Sequence, residues 1–159
     1  MPTSLAFSPM RRFQTDRPLM QHPERLERDR EFLLMLEAYR GSGGLAPIAE
    51  VSLQLQRHHW AQSARVLAQW MARGELICFE WQARRWIPWF QFSRADMAPR
   101  AQLAPVLAEL RTAYDPWEMG LWFVTPNPWL AGRVPVDALF TDMSEVLHAA
   151  RADRFVVNG

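Results

Sequence analysis

Arg84-Arg85-Trp86-Ile87-Pro88-Trp89-Phe90-Gln91-Phe92 is the stretch on which the reading of this chain turns. Its aromatic and β-branched residues favour extended backbone, and two arginines stand at its start. Just before it, Leu76-Ile77-Cys78-Phe79-Glu80-Trp81 has the same character, and only Gln82-Ala83-Arg84 separates it from the run Arg85-Trp86-Ile87-Pro88-Trp89-Phe90. So short a spacer between two such runs predicts a β-hairpin. Proline cannot donate to a strand ladder, so Pro88 is expected to confine its strand to a sheet edge or a bulge.

Toward the N-terminus the periodicity becomes helical. Ala64, Leu67, Trp70 and Met71 make one stripe of a helix expected over about 61–73, with Gly74 placed as its C-terminal cap. Pro47 opens another helix that runs to about Gln56, and Arg57-His58-His59-Trp60 breaks the two apart. Together they form a helix-turn-helix-like pair. Further out, Pro23 suits a first helical position, Leu26, Leu33, Leu36 and Tyr39 follow at helical spacing, and Gly41-Ser42-Gly43-Gly44 ends the segment. Residues 1–22 hold three prolines and little periodicity, and read as a flexible arm.

Toward the C-terminus, Thr125-Pro126-Asn127-Pro128-Trp129-Leu130-Ala131-Gly132-Arg133-Val134-Pro135 reads as a helix stop, a short loop and a new helix start. Pro126 cannot continue a helix, Asn127 can bond its own backbone in a turn, Gly132 tolerates a positive φ and Pro135 presets the next helix. Pro105 opens a helix carrying Leu103, Val106, Leu107 and Leu110 near one face. Asp115-Pro116-Trp117-Glu118 supplies an N-cap, a proline at the first turn and an acid three residues on, and Asp142 with Glu145 repeats that signal before the last helix. The expected fold is mainly α. Its helical N-terminal half, residues 23–92, holds the helix-turn-helix-like pair and one β-hairpin, and a small all-α C-terminal domain covers residues 99–155.

Composition sets the outer limits. A chain of 159 residues that is 49% hydrophobic, with eight Trp and nine Phe, can bury a substantial core as one domain or two packed halves. No apolar run approaches the roughly 20 residues that a bilayer span needs, and no charged segment precedes an apolar one at the start. A soluble, cytoplasmic protein with no membrane partner is expected. The single cysteine, Cys78, permits neither an intrachain disulfide nor a cysteine-based zinc site. All 18 cations are arginine, which excludes a Schiff-base lysine or a phosphate-loop lysine.

Nothing in the pattern points to catalysis. His58 and His59 are adjacent and diverge on any regular backbone, His22 and His148 have no ligand at a recognised spacing, and the acids sit at capping or exposed positions. No nucleophile elbow or glycine-rich phosphate loop is present. Neither enzyme activity nor a cofactor or metal is expected.

The net charge of +1 hides an imbalance. Residues 51–100 hold seven Arg against three acids, whereas residues 101–159 hold four Arg against seven acids. Between Val51 and Gly74 the only charges are Arg57, Arg65 and Arg73. With Gln62, Ser63 and Gln69 they offer groups suited to phosphates and base edges, and Arg84 and Arg85 at the hairpin tip could act as a wing. A solvated helix face over a tryptophan core accounts for the same residues. Trp60, Trp70, Trp81, Trp86 and Trp89 fall within thirty residues, more than a helix pair and a hairpin are expected to cover alone. A homodimer formed mainly through residues 24–92 is therefore expected.

The helix pair, the hairpin and Pro88-Trp89-Phe90-Gln91-Phe92, followed by Asp115-Pro116-Trp117, Thr125-Pro126-Asn127, Leu130, Gly132, Pro135 and Val146-Leu147-His148-Ala149-Ala150, resemble the antitoxins of the Xre/MbcA/ParS type. The likeness covers roughly residues 50–152. The helix pair carries no recognised helix-turn-helix signature, and residues 1–45 have no counterpart in it. The resemblance implies a type II antitoxin that covers the active site of a Res-type, NAD-degrading toxin and represses its own operon by binding operator DNA. It places the toxin contacts around Asn127, Trp129, Arg133, Arg151, Arg154 and Phe155. A stand-alone DNA-binding regulator, or a structural or adaptor dimer, are the other readings.

Overall fold

The structure, a computed structural model, describes residues 23–159; the expected arm over 1–22 lies outside the described residues. In chain order the elements are α1 (Pro23–Ala38), β1 (Leu45–Pro47), α2 (Ile48–Arg57), α3 (Ser63–Ala72), β2 (Phe79–Trp81), β3 (Arg84–Pro88), α4 (Ala104–Arg111), α5 (Pro116–Trp122), α6 (Pro135–Ala138) and α7 (Met143–Asn158), with short 3-10 turns at 40–42, 89–91, 101–103 and 128–130. The fold is mainly α with one small antiparallel sheet, as the sequence predicts.

The hairpin forms from the two aromatic runs. Gln82 and Ala83 both take positive φ, 49° and 58°, the backbone of a type I′ turn, although neither is the glycine or asparagine such turns favour. The sheet holds a third strand that the sequence did not signal. β1 pairs antiparallel with β3, giving the order β1-β3-β2, so the strand that carries Pro88 is central rather than an edge.

The exception has a local cause. Pro88 is the last residue of β3, and Trp89 N–H donates to the Gly44 carbonyl at 3.0 Å, which places Pro88 at a non-hydrogen-bonded position facing β1. On the other side β2 reaches only as far as the Phe79–Trp86 pair. Beyond it the Gln91 side chain replaces the ladder. Its amide oxygen accepts from Ile77 N–H at 2.6 Å, and its amide nitrogen donates to the carbonyls of Ile77 and Pro88 at 3.1 and 3.2 Å. Gln91 is fully buried, so this pairing also satisfies its own polar atoms.

Two cores meet in the central part of the chain. In the larger one, Phe32 and Met35 of α1 and Tyr39 just after it pack with Phe79 and Phe90 against Leu107, Leu110 and Val146 of the C-terminal helices and Phe123 at the end of α5. In the smaller one, Val51 and Leu55 of α2 and Leu67 and Trp70 of α3 close over Ala46, Ile87 and Phe92. By packing, α1 thus goes with the C-terminal helices rather than with the helix pair. The contact is tight at Gly120, whose carbonyl accepts from the Tyr39 hydroxyl at 2.6 Å, and where a Cβ would come within 2.9 Å of the Phe79 ring.

The five crowded tryptophans all pack within one chain, Trp70 buried and the other four partly so. Trp81 and Trp86 join the larger core; Trp60, Trp70 and Trp89 join the smaller. Their crowding therefore does not by itself require a second copy.

Candidate protein-binding site

α7 starts at a cap, with the Asp142 carboxylate accepting from Glu145 N–H at 3.2 Å. Its Val146, Ala149 and Ala150 are buried. Asp153, three and four residues further on, continues the same face. A carboxylate in that phase needs donors, and the preceding loop supplies them. Trp122 Nε1–H and Asn127 Nδ2–H donate to one of its oxygens, each at 2.7 Å, and Trp129 Nε1–H donates to the other at 2.9 Å.

Asn127 builds the loop that brings Trp129 there. Its side-chain oxygen accepts from Trp129 N–H at 2.9 Å, its carbonyl accepts from Gly132 N–H at 2.9 Å, and its own N–H donates to the Arg133 carbonyl at 3.0 Å. Gly132 takes φ of 80°, the left-handed backbone that its place in the loop requires.

The expected toxin-facing residues separate into two groups. Asn127 is only 4% exposed and serves the loop, so it is not a surface contact. Arg133 pairs with Glu145 at 2.6 Å, and Arg151 and Arg154 both grip Glu109 of α4, at 3.0 and 3.1 Å. These three arginines already have partners within the chain. Trp129 and Phe155 remain exposed, at 57% and 74%.

They do not share one face. At about 100° per residue, Val156 and Val157 fall within about 60° of Asp153 around α7, whereas Phe155 lies about 160° away. Val156 and Val157 are also exposed. They extend the buried stripe of α7 past the point where the body covers it. The sequence reading missed Asp153, Val156 and Val157. The signal that could have found Asp153 was an acid three and four residues after the core alanines.

The expected DNA-facing residues also divide. Gln62, Arg65, Gln69 and Arg73 recur every three or four residues along the outside of α3, and all are exposed. Arg73 lies 3.9 Å from Glu75 in an exposed pair. Ser63 is buried, its hydroxyl 2.8 Å from that of Ser52 on α2, so it ties the helix pair together and cannot meet a phosphate. Arg57 ends α2, whereas Arg84 and Arg85 border a groove with Pro47, Ile48 and Glu50 at the start of that helix. α2 spans about 15 Å, so these arginines lie at its opposite ends.

Arg85 also lines a groove with Met71, Cys78 and Arg111 beside Gly74. Gly74 has φ of 75°, and a Cβ there would collide with the Arg111 guanidinium, whose Nη2 donates to the Leu76 carbonyl at 3.5 Å. Burial pushes the Cys78 thiol up from its ordinary value, while Arg85 pulls the other way. Among the described residues no group of three or more His, Cys, Asp or Glu side chains could hold a metal ion. Nor is any helix among them long and apolar enough to cross a membrane. No family model, curated protein or solved structure matches this chain.

Proposed function

We propose that this chain is an antitoxin that binds and covers a Res-type toxin, and that Trp129, with Val156 and Val157 one helical turn beyond the Asp153 that holds it, is the surface that makes the contact. The class of toxin comes from the sequence resemblance. The carrying observation is the state of Trp129: its indole is exposed while its only side-chain polar atom is already held by Asp153. Burial against a partner therefore strands no donor, and the rotamer is fixed before binding, which lowers the entropy cost of association. Exposed, pre-oriented tryptophans beside aliphatic residues are the usual anchors of protein interfaces. Inhibition of this kind needs surface complementarity and no chemistry from the inhibitor.

The test is to co-express the chain with a Res-type toxin encoded beside it, and to measure complex formation and NAD degradation. Trp129→Ala should weaken the complex by roughly thirtyfold, the size of a hot-spot loss of about 2 kcal/mol. Arg151→Ala, which removes a side chain engaged with Glu109, should leave inhibition unchanged. If the intact pair elutes separately, the antitoxin reading fails. If the pair forms but Trp129→Ala inhibits as well as the parent, the assigned surface fails.

Operator binding belongs to the same reading, and the stripe Gln62, Arg65, Gln69 and Arg73 on α3 supports it.

A further inference from the structure

α1 carries leucines on the wrong side for its own fold. Phe32, Met35 and Tyr39 turn inward and are buried, yet Leu26, Leu33, Leu34 and Leu36 are 40%, 62%, 67% and 41% exposed. Leu26, Leu33 and Leu34 lie about 130–150° around the helix from the centre of the buried face, with Leu33 and Leu34 on either side of its outermost line, and Leu36 stands at the margin of the buried face.

The rotation of α1 is fixed by polar contacts. Trp81 Nε1–H donates to the Asp29 carboxylate at 2.8 Å, and Trp117 Nε1–H donates to Glu31 at 2.6 Å. The Arg28 guanidinium lies 4.7 Å from the Trp117 ring centre. Asp29 and Glu31 leave the helix on either side of its buried face, so α1 cannot roll the leucines inward without breaking one of these bonds. The apolar stripe is held outward by the rest of the chain.

We infer that this stripe is the interface between two copies of the chain, with α1 packed antiparallel against α1 of the second copy about a two-fold axis midway between Leu33 and Leu34. The charges select this occupant. Arg30 and Glu37 are both exposed and lie along the middle of the stripe, between the lines of Leu33 and Leu34, at equal separations in sequence before and after that midpoint. Within the chain Glu37 also pairs with Arg40 at 3.2 Å, with both side chains largely in solvent, so its carboxylate can accept a second arginine. Antiparallel pairing then sets Arg30 of each copy against Glu37 of the other, while Leu33 and Leu34 of both copies meet at the axis. A two-fold interface must be complementary to itself, and this pattern is. A parallel pairing would place like charges side by side. The inference does not depend on the toxin, since the surface lies on a different helix from Trp129.

Light scattering on the full chain tests it. At tens of micromolar the mass should be twice the 18.5 kDa of one chain. Leu33→Glu combined with Leu34→Glu should give a single-chain mass with an unchanged circular dichroism spectrum, because both positions face solvent in the isolated fold. Arg30→Glu alone and Glu37→Arg alone should each weaken the dimer several-fold, and the two together should restore it, as expected for exposed charge pairs repeated twice across an axis. A single-chain mass for the parent, or a dimer that survives the double leucine replacement, overturns the interface. Failure of the combined charge reversal to restore association overturns the antiparallel register. Loss of toxin binding with the dimer intact would count against the proposed function alone.

Discussion

Replacing Asp153 with alanine removes the acceptor for three N–H groups at once. Two of their owners are buried, Trp122 at 8% and Asn127 at 4% exposed, so water cannot stand in for the carboxylate. An unpaired buried donor costs about 1–3 kcal/mol, and two together about 2–6 kcal/mol. The third, on Trp129, is half in solvent and adds little. In a fold stable by about 5–15 kcal/mol this is a large fraction. At about 2–4 °C per kcal/mol for a chain of this size, Asp153→Ala should lower the melting temperature by roughly 5–20 °C.

Asp153→Asn separates the contributions. An amide oxygen in place of the shared carboxylate oxygen still serves Trp122 and Asn127, and only the solvent-facing bond to Trp129 is lost. The expected loss is about 1 kcal/mol, or roughly 2–4 °C. Thermal denaturation followed by circular dichroism reads both variants. A fall of under about 2 °C for Asp153→Ala, or equal losses for the two variants, would refute the claim that this carboxylate holds the loop to α7.

The remaining predictions concern pH and DNA. Burial pushes the Tyr39 hydroxyl far above its ordinary value, while in the unfolded chain it ionises near about 10. The folded state therefore keeps a proton that the unfolded state releases, and stability should fall as pH rises through about 10. Tyr114 shifts upward too, from burial first and then from Asp153 and Glu118, and adds a contribution of the same sign. Urea midpoints measured from pH 8 to pH 11 should drop, less steeply in Tyr39→Phe; a flat profile in the parent would contradict the buried hydroxyl. For DNA, Arg65→Ala with Arg73→Ala should weaken binding to the chain's own promoter without altering the fold, and parent affinity should fall roughly tenfold or more from low to physiological salt. Promoter DNA with unchanged mobility at low salt and high protein concentration would argue that α2 and α3 serve structure only.

What the sequence made legible was local. The hairpin, the Asp115 and Asp142 caps, Pro105 and the breaks at Gly74 and 125–135 all depend on residues within a few positions of one another, and all appear. β1 was not legible. Three residues, Leu45-Ala46-Pro47, show no alternation, and their partner strand lies about forty residues away. Pro88 misled because it ends β3 where β2 no longer runs alongside, and the Gln91 side chain takes the place of the ladder there. Ser63 looked like a polar surface residue until α2 brought Ser52 to it. Of the residues expected to face a toxin, Trp129 and Phe155 are exposed on different faces, whereas the three arginines are engaged by Glu109 and Glu145 across distances that sequence does not reveal.

The three-stranded sheet also sets how the chain is divided for change. β1 leads into α2 and β2 follows α3, and the two strands flank β3, so the chain enters and leaves the helix pair at points about 10 Å apart. Residues 48–78 are thus a lobe inserted between the two strands that flank β3, and its Val51, Leu55, Leu67 and Trp70 close over Ala46, Ile87 and Phe92 of the host. Insertions with adjacent ends disturb the host least, because the host need not move to accommodate a lobe of different length. The surface that faces nucleic acid in the proposed function sits on this lobe, while α1 and α7 sit on the host. Under that proposal, recognition of a new operator and retention of an old partner would change on separate parts of one short chain.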